Sequence, residues 1–203
     1  MMRHKLILAS GSIIRATILT NAGIDFAAQP TQTDEAAIKN AGLAAGDSME
    51  TIVTRLAHAK ASAIAPASEI ASEPLVLGSD QILIFDGALY DKPADMDEAK
   101  ERLRAMQGKT HTLMNATTLL KEKQPVYAGI STADLTIRSL TDMEIDQYFD
   151  DVGEGVLSSV GAYHLEGKGA RLFEKIEGDY FTILGLPLTP LLPIFRDHGV
   201  IAY

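Results

Sequence analysis

The sequence contains no cysteine and no tryptophan among its 203 residues. Without cysteine there is no disulfide framework and no thiolate metal site, and nothing argues for an oxidising compartment, so the cytoplasm is the expected location. No apolar run approaches the roughly 20 residues needed to span a bilayer, and no membrane partner is expected. Near the start, Arg3 and Lys5 precede an apolar run confined to residues 6–9, far shorter than the hydrophobic region of a secretory signal. Positive charge is also scarce. The 18 Lys and Arg stand against 27 Asp and Glu, a net charge of -9 that disfavours nucleic acid and anionic lipid as partners. The chain lacks both a Gly-x-x-x-x-Gly-Lys-Ser/Thr loop and a Gly-x-Ser-x-Gly elbow, which excludes the usual P-loop and α/β-hydrolase arrangements. What is present is an ordinary globular composition, 46% hydrophobic and 22% charged, sufficient for one folding unit with a sizeable core.

Hydrophobic periodicity places a short buried strand at 6–9, followed by Ser10, Gly11 and Ser12 as turn and N-cap residues for a helix through Asn21. A polar segment carrying Asp34 and Glu35 precedes a second helix over 48–65, stopped before Pro66. A buried strand over 75–77 is expected to end at Gly78-Ser79-Asp80. Asp86-Gly87 lies between apolar runs at 81–85 and 88–91, a strong hairpin signal that sets Gln81 opposite Lys92 and brings Lys92 near Asp80. Asp95 caps a helix with Met96, Ala99, Leu103 and Met106 on one face and Gly108 as its stop. Residues 109–120 and 133–139 are expected strands, and Thr141 with Glu144 forms a capping box for a helix to Phe149. A strand over 160–165 leads to Glu166, with Val160, Ala162, His164 and Glu166 on one face. A terminal helix begins at Thr189-Pro190 and ends at Gly199. Strands alternating with helices, plus hairpins, give an α/β fold with a mixed sheet.

Charged residues occur where apolar stripes should be continuous. Arg15 falls inside the stripe Ile14, Ile18, Leu19 and Ala22, in the first helical turn after a strand, where free backbone N–H groups and the helix dipole favour an anion. Ser10 and Ser12, in the same turn, join it as phosphate-binding candidates. Lys60 sits in the centre of the face formed by Val53, Leu56, Ala63 and Ile64, whereas Arg55 and His58 point away. A carboxylate at Asp80, close to Lys92 and with Arg15 and Lys60 available, suits a metal-chelated triphosphate, and Glu35 is a second carboxylate candidate. His58, His111 and His164 show no zinc-site spacing and read as structural or surface residues.

In order, Leu6-Ile-Leu-Ala-Ser-Gly-Ser-Ile-Ile-Arg15, Asp34-Glu35, Arg55-Leu-Ala-His-Ala-Lys60, Gly78-Ser-Asp-Gln81 and Lys92-Pro93 resemble the Maf family of nucleotide pyrophosphatases. So do Gln107-Gly-Lys-Thr-His111, Gly161-Ala-Tyr-His-Leu-Glu-Gly167, Ile176-Glu-Gly178 and Leu184-Gly-Leu-Pro187. The resemblance implies one domain over residues 1–203, an elongated mixed α/β architecture with two lobes around a central cleft, usually as a homodimer. It implies hydrolysis of nucleoside triphosphates to monophosphate and diphosphate with a divalent metal, Mg²⁺ or Mn²⁺, and a link to septum formation and to clearing unusual nucleotides. By position, Asp80 matches the catalytic proton acceptor. Arg15, Glu35, Lys60 and Lys92 match the phosphate and metal cluster, with Glu35 and Asp80 as metal-binding candidates.

The same resemblance assigns base specificity to Ile14, Gln81 and Glu166. Gln and Glu at the last two positions match the 7-methyl-GTP branch, whereas the branch acting on dTTP and UTP typically carries Thr and Gln. A carboxylate only accepts hydrogen bonds, which matches the N1–H and exocyclic amine of guanine. Ile14 departs from the aromatic residue often found there, and Ile13 from the family's usual Pro. Preference for dTTP and UTP, action on another phosphate ester or anhydride, and a non-catalytic role in septum formation are the alternatives.

Overall fold

The computed structural model describes residues 5–64 and 74–203. They form an α/β structure with seven strands: β1 (Leu6–Leu8), β2 (Ala27–Ala28), β3 (Leu75–Phe85), β4 (Ala88–Tyr90), β5 (Thr110–Lys121), β6 (Gln124–Ile137) and β7 (Phe173–Gly178). Its helices are α1 (Ile13–Asn21), α2 (Glu35–Ala45), α3 (Met49–Ser62), α4 (Met96–Met106), α5 (Asp142–Val152), α6 (Tyr180–Ile183) and α7 (Leu192–Asp197). The strands pair in the order β2-β1-β3-β5-β6-β7, with β4 also on β3. β1 runs parallel to β2 and β3, while β3–β4 and β6–β7 are antiparallel, so the expected mixed sheet is observed.

The chain divides into two compact units. The first comprises Met1–Asp80, Asn115–Ser131 and Leu184–Tyr203. Leu6, Leu8, Leu19, Leu56, Leu77 and Phe195 are buried there. A Cβ on Gly78 would lie 2.2 Å from the Ala57 carbonyl oxygen and 2.8 Å from the Ala61 nitrogen. Glycine therefore allows β3 and α3 to pack backbone to backbone, a contact that any larger residue would force apart. The second unit comprises Gln81–Met114 and Thr132–Ile183, with Leu83, Leu103, Met106, Leu135, Phe149 and Tyr163 in its core.

Most expected elements are present. The Asp-Gly hairpin forms with Asp86 at φ 49° and Gly87 at φ 77°, and Leu83 pairs with Tyr90 in the anticipated register. Asp95 caps α4, and the Thr141–Glu144 capping box opens α5. The terminal helix comes as a 3-10 turn over Thr189–Leu191 followed by α7. The expected stop of the second helix at Ala65 and Pro66 lies outside the described residues.

Several boundaries differ for physical reasons. β3 does not end at Gly78 but continues to Phe85, because its residues are buried along most of their length and the ladder neighbours change without a break. β6 begins at Gln124 rather than near Ala133, through a hairpin whose Glu122 and Lys123 take φ values of 51° and 61°. That turn is illegible in the sequence because neither residue is a usual left-handed former. Residues 160–165 are not a strand. Ala162 adopts φ 55° and its N–H donates to the Ser159 carbonyl at 3.1 Å, so the segment turns back and Glu166 shares no strand face with Val160. The polar segment after Pro30 contains a helix, α2, which Asp34 caps and Gly46 closes in the left-handed region. The short β7 and α6 carry no clear periodic signal.

Candidate active site

Arg15 is buried on the inward stripe of α1 beside Ile18 and Leu19. The Ser12 side chain caps α1 by accepting from the Arg15 backbone N–H at 3.3 Å, and Ser10 Oγ accepts from the Ser12 N–H at 3.2 Å. Two bonds hold the guanidinium: Nε donates to the Gly185 carbonyl at 2.7 Å and one terminal nitrogen donates to Ser10 Oγ at 3.2 Å. Burial lowers the Arg15 pKa, while the charges of Asp80 and Glu35 oppose that shift. Guanidinium basicity is high enough that the group stays cationic in this setting. The turn between β1 and α1 thus holds a positive charge rather than a plain core contact.

Lys60 is buried on α3, as the interrupted stripe predicted, while Arg55 and His58 are exposed and Arg55 pairs with Asp47. Ala63, placed on the same inward face by periodicity, is exposed because α3 ends at Ser62. The Lys60 ammonium bridges two carboxylates. It pairs with Asp80 Oδ1 and lies 2.8 Å from Glu35 Oε1. Asp80 is 5% exposed and sits in β3 two positions after the glycine that lets the strand meet α3, so close packing at Gly78 sets up the Lys60–Asp80 contact. Glu35 arrives from the first residue of α2, oriented by the Asp34 cap, which accepts from Ala37 N–H at 2.9 Å. Ser10, Arg15, Glu35, Lys60 and Asp80 therefore belong to one polar cluster within the first unit, linked by hydrogen bonds, ion pairs and the field at Arg15. Ile14, half-buried, precedes Arg15 on the same helix.

Gln81, Lys92 and Glu166 belong to the second unit. The Gln81 amide nitrogen donates to the Thr182 carbonyl at 2.9 Å and the Ile183 carbonyl at 3.3 Å, which leaves its oxygen as the presented group. Lys92 is exposed just beyond β4, and Glu166 is exposed in a turn in which Gly167 N–H donates to the His164 carbonyl at 3.1 Å. His111 is buried, and its Nε2 lies 2.6 Å from the Tyr163 hydroxyl. Desolvation lowers its pKa to about 4, so it is a neutral structural residue, consistent with its lack of zinc spacing.

The Maf-like protein family matches residues 5–198. This chain belongs to that family. It is 46% identical over 200 residues to the 7-methyl-GTP pyrophosphatase of Rhizobium meliloti (strain 1021), covering 98% of this chain and 99% of that relative. It is 41% identical over 198 residues to nucleoside triphosphate pyrophosphatase 1 of Jannaschia sp. (strain CCS1), covering 98% of each. The nucleoside triphosphate pyrophosphatase of Rhodopseudomonas palustris (strain BisB18) is 43% identical over 199 residues, 98% of this chain and 96% of that relative.

This Maf-like chain also holds site residues that motif reading passes over. Asn115 and Ser79 are fully buried beside the cluster, and both donate to the Gly185 carbonyl, at 2.8 and 3.1 Å. An Asn within an otherwise Leu- and Thr-rich strand is the available signal, since a buried amide demands partners. Among the described residues no group of three or more His, Asp or Glu side chains converges in a form that could hold a metal ion. Glu35 and Asp80, brought together by Lys60, instead offer two hard oxygen donors. That donor set fits a divalent cation carried in with phosphate oxygens and water, the usual habit of Mg²⁺, and does not fit a dedicated protein cage. No helix among the described residues is long and apolar enough to cross a membrane.

Proposed function

We propose that this Maf-like chain is a nucleoside triphosphate pyrophosphatase, converting a nucleoside triphosphate and water to the monophosphate and diphosphate. The observation that carries the reading is the cluster of buried Arg15, Lys60 and Asp80 with the half-exposed Glu35 at its edge. Two cations and two carboxylates in a poorly solvated setting suit a polyanion that arrives with its own cation, because each charge acts more strongly there than in water. The curated relatives named as pyrophosphatases support the same class.

Asp80 pairs with Lys60 through Oδ1, so Oδ2 is the oxygen assigned to orient water and take its proton. Water oxygen attacks the α-phosphorus, the bond from that phosphorus to the bridging oxygen of the β-phosphate breaks, and diphosphate departs with the bond electrons. Arg15 and Lys60, with Lys92 on the strength of the family resemblance, offset the charge on that leaving group. Ser10 and Ser12 hold the turn that leads into the helix carrying Arg15. When bound, a divalent ion held by Glu35 and Asp80 supplies further neutralisation of the phosphate oxygens.

For the base, the reading favours 7-methyl-GTP. Gln81 has its amide hydrogens committed to backbone carbonyls, and Glu166 is a carboxylate, so both offer acceptors, as the donor-rich edge of guanine requires. A uracil or thymine edge presents one donor between two acceptors and is matched less well. Ile14 completes the assigned specificity set. The physiological setting proposed is the cytoplasm and the assembly a homodimer, supported by family resemblance and by the exposed Val126 and Ile130 on β6. Light scattering on the purified chain tests the dimer.

The deciding experiment is a product-resolved screen of common and modified triphosphates with Mg²⁺ and with Mn²⁺. Diphosphate and monophosphate as products, with 7-methyl-GTP turned over faster than UTP and dTTP, is the expected result. Inorganic phosphate as the first product removes the pyrophosphatase reading, and equal rates on 7-methyl-GTP and UTP remove the base assignment alone.

A further inference from the structure

The Leu184-Gly-Leu-Pro187 segment stands out in the sequence, yet the reaction described so far gives it no part. Its Gly185 adopts φ 92°, a backbone conformation that L side chains rarely take, so glycine decides where this carbonyl points. Three donors meet at that single oxygen: Arg15 Nε at 2.7 Å, Asn115 Nδ2 at 2.8 Å and Ser79 Oγ at 3.1 Å. A carbonyl has two lone pairs, and donors crowding one acceptor weaken each other electrostatically. The arrangement is thus a poor way to strengthen any one bond and a good way to fix a position.

The amide itself is held in a single orientation. Asn115 Oδ1 accepts from Thr117 Oγ1 at 3.2 Å, so its nitrogen faces Gly185. With Nε on Gly185 and a terminal nitrogen on Ser10, the guanidinium plane of Arg15 is set by two bonds in different directions. The charges of Asp80 and Glu35 are close enough to oppose the desolvation of this guanidinium, so its position is fixed within the field of the two carboxylates.

We infer that Asn115 and Ser79 are positioning residues for Arg15, acting through the Gly185 carbonyl, and that orienting this guanidinium is the contribution of the Leu184-Gly-Leu-Pro187 segment to the reaction. The inference rests on Arg15 being a phosphate-binding group. It assigns no contact between substrate and Asn115 or Ser79.

The test is a double-mutant cycle in the full chain with Asn115→Ala, Arg15→Lys and the pair. It reads kcat, KM, inhibition by inorganic pyrophosphate, and melting temperature. With Arg15 intact, Asn115→Ala should lower kcat/KM and weaken pyrophosphate inhibition by about 10-fold, the scale of a slightly misplaced group. In the Arg15→Lys background the same change should cost less than about 2-fold, while the drop in melting temperature is alike in both. Equal activity losses in the two backgrounds would show a merely structural role and overturn the inference. Should Asn115→Ala not fold, Ser79→Ala takes its place in the same cycle, since it removes a donor with little change of volume. If the unaltered protein releases no pyrophosphate, the functional reading fails by itself, and the cycle is read from calorimetric affinity for inorganic pyrophosphate. Unchanged affinity on Arg15→Lys there would sink the positioning role as well.

Discussion

Arg15 and Arg102 are buried to nearly the same degree, 9% and 6% exposed, in different units of the chain, and they are satisfied in different ways. Arg102 is enclosed by its own unit. It donates to the Asp91 carbonyl and to the Val160 carbonyl at 2.6 Å, pairs with Glu98 at 2.7 Å one helical turn away, and lies 5.2 Å from the Tyr90 ring centroid. Arg15 has a carbonyl and a hydroxyl as hydrogen-bond partners, with carboxylates near enough to shift its pKa. A buried cation whose donors are spent on backbone is a fastener. One that retains donors among carboxylates is suited to meet an anion. Similar burial therefore carries opposite meanings, and the partner inventory separates them.

That comparison can be broken at four places. The largest expected effect is on turnover: Asp80→Asn should reduce pyrophosphate release by about 10³-fold, the scale of lost general-base chemistry, with an unchanged circular dichroism spectrum. Wild-type rates in that variant would remove Asp80 from the chemistry. Next, Lys60→Met deletes the ammonium shared by Asp80 and Glu35. Stranding the buried Asp80 charge should cost about 4 kcal/mol in urea unfolding and abolish most activity, and a stability change near zero would show that the pair is not needed to bury Asp80.

In the other unit, Arg102→Met should cost about 3 kcal/mol through its orphaned carbonyl partners, with KM and kcat near wild type. Loss of activity without loss of stability would contradict its role as a fastener. The most gradual effect, spread over more than two pH units, is the pH response of His111. Its folded pKa is depressed to about 4 from 6.5, so the unfolded chain binds the extra proton between those values. Stability from this residue is complete above pH 6.5 and declines by about 1.4 kcal/mol per pH unit as pH falls toward 4. His111→Gln should flatten that limb of a urea-unfolding series, and an unaltered acid limb would place the titration elsewhere.

Much of the fold is readable from local pattern, because capping boxes, Asp-Gly turns and helical stripes are short-range features. Arg15 and Lys60 announce themselves as charges inside apolar stripes, and both are buried on those stripes. α2 escapes that reading although Asp34, an Ala-rich run and Gly46 mark its ends, since its polar start draws attention to the carboxylates instead. The expected strand over 160–165 fails because alternation of residue size does not reveal a left-handed Ala162. The shared contact of Asn115 and Ser79 with Gly185 stays hidden, although two of the three lie in recognisable motifs, because a side chain's hydrogen-bond partner is not encoded in its own neighbourhood.

Composition and periodicity by themselves determined the α/β class, most element positions, and that Arg15 and Lys60 would be carried inward, since these follow from the repeat of a helix or strand and from the cost of burying charge, whereas the burial of Arg102 carries no such signal. Only tertiary structure decided that Lys60 would join Glu35 to Asp80 and that three donors would share the Gly185 carbonyl. Those contacts link residues from 20 to 170 positions apart, and their geometry depends on a backbone approach at Gly78 and a positive φ at Gly185 that no local pattern specifies.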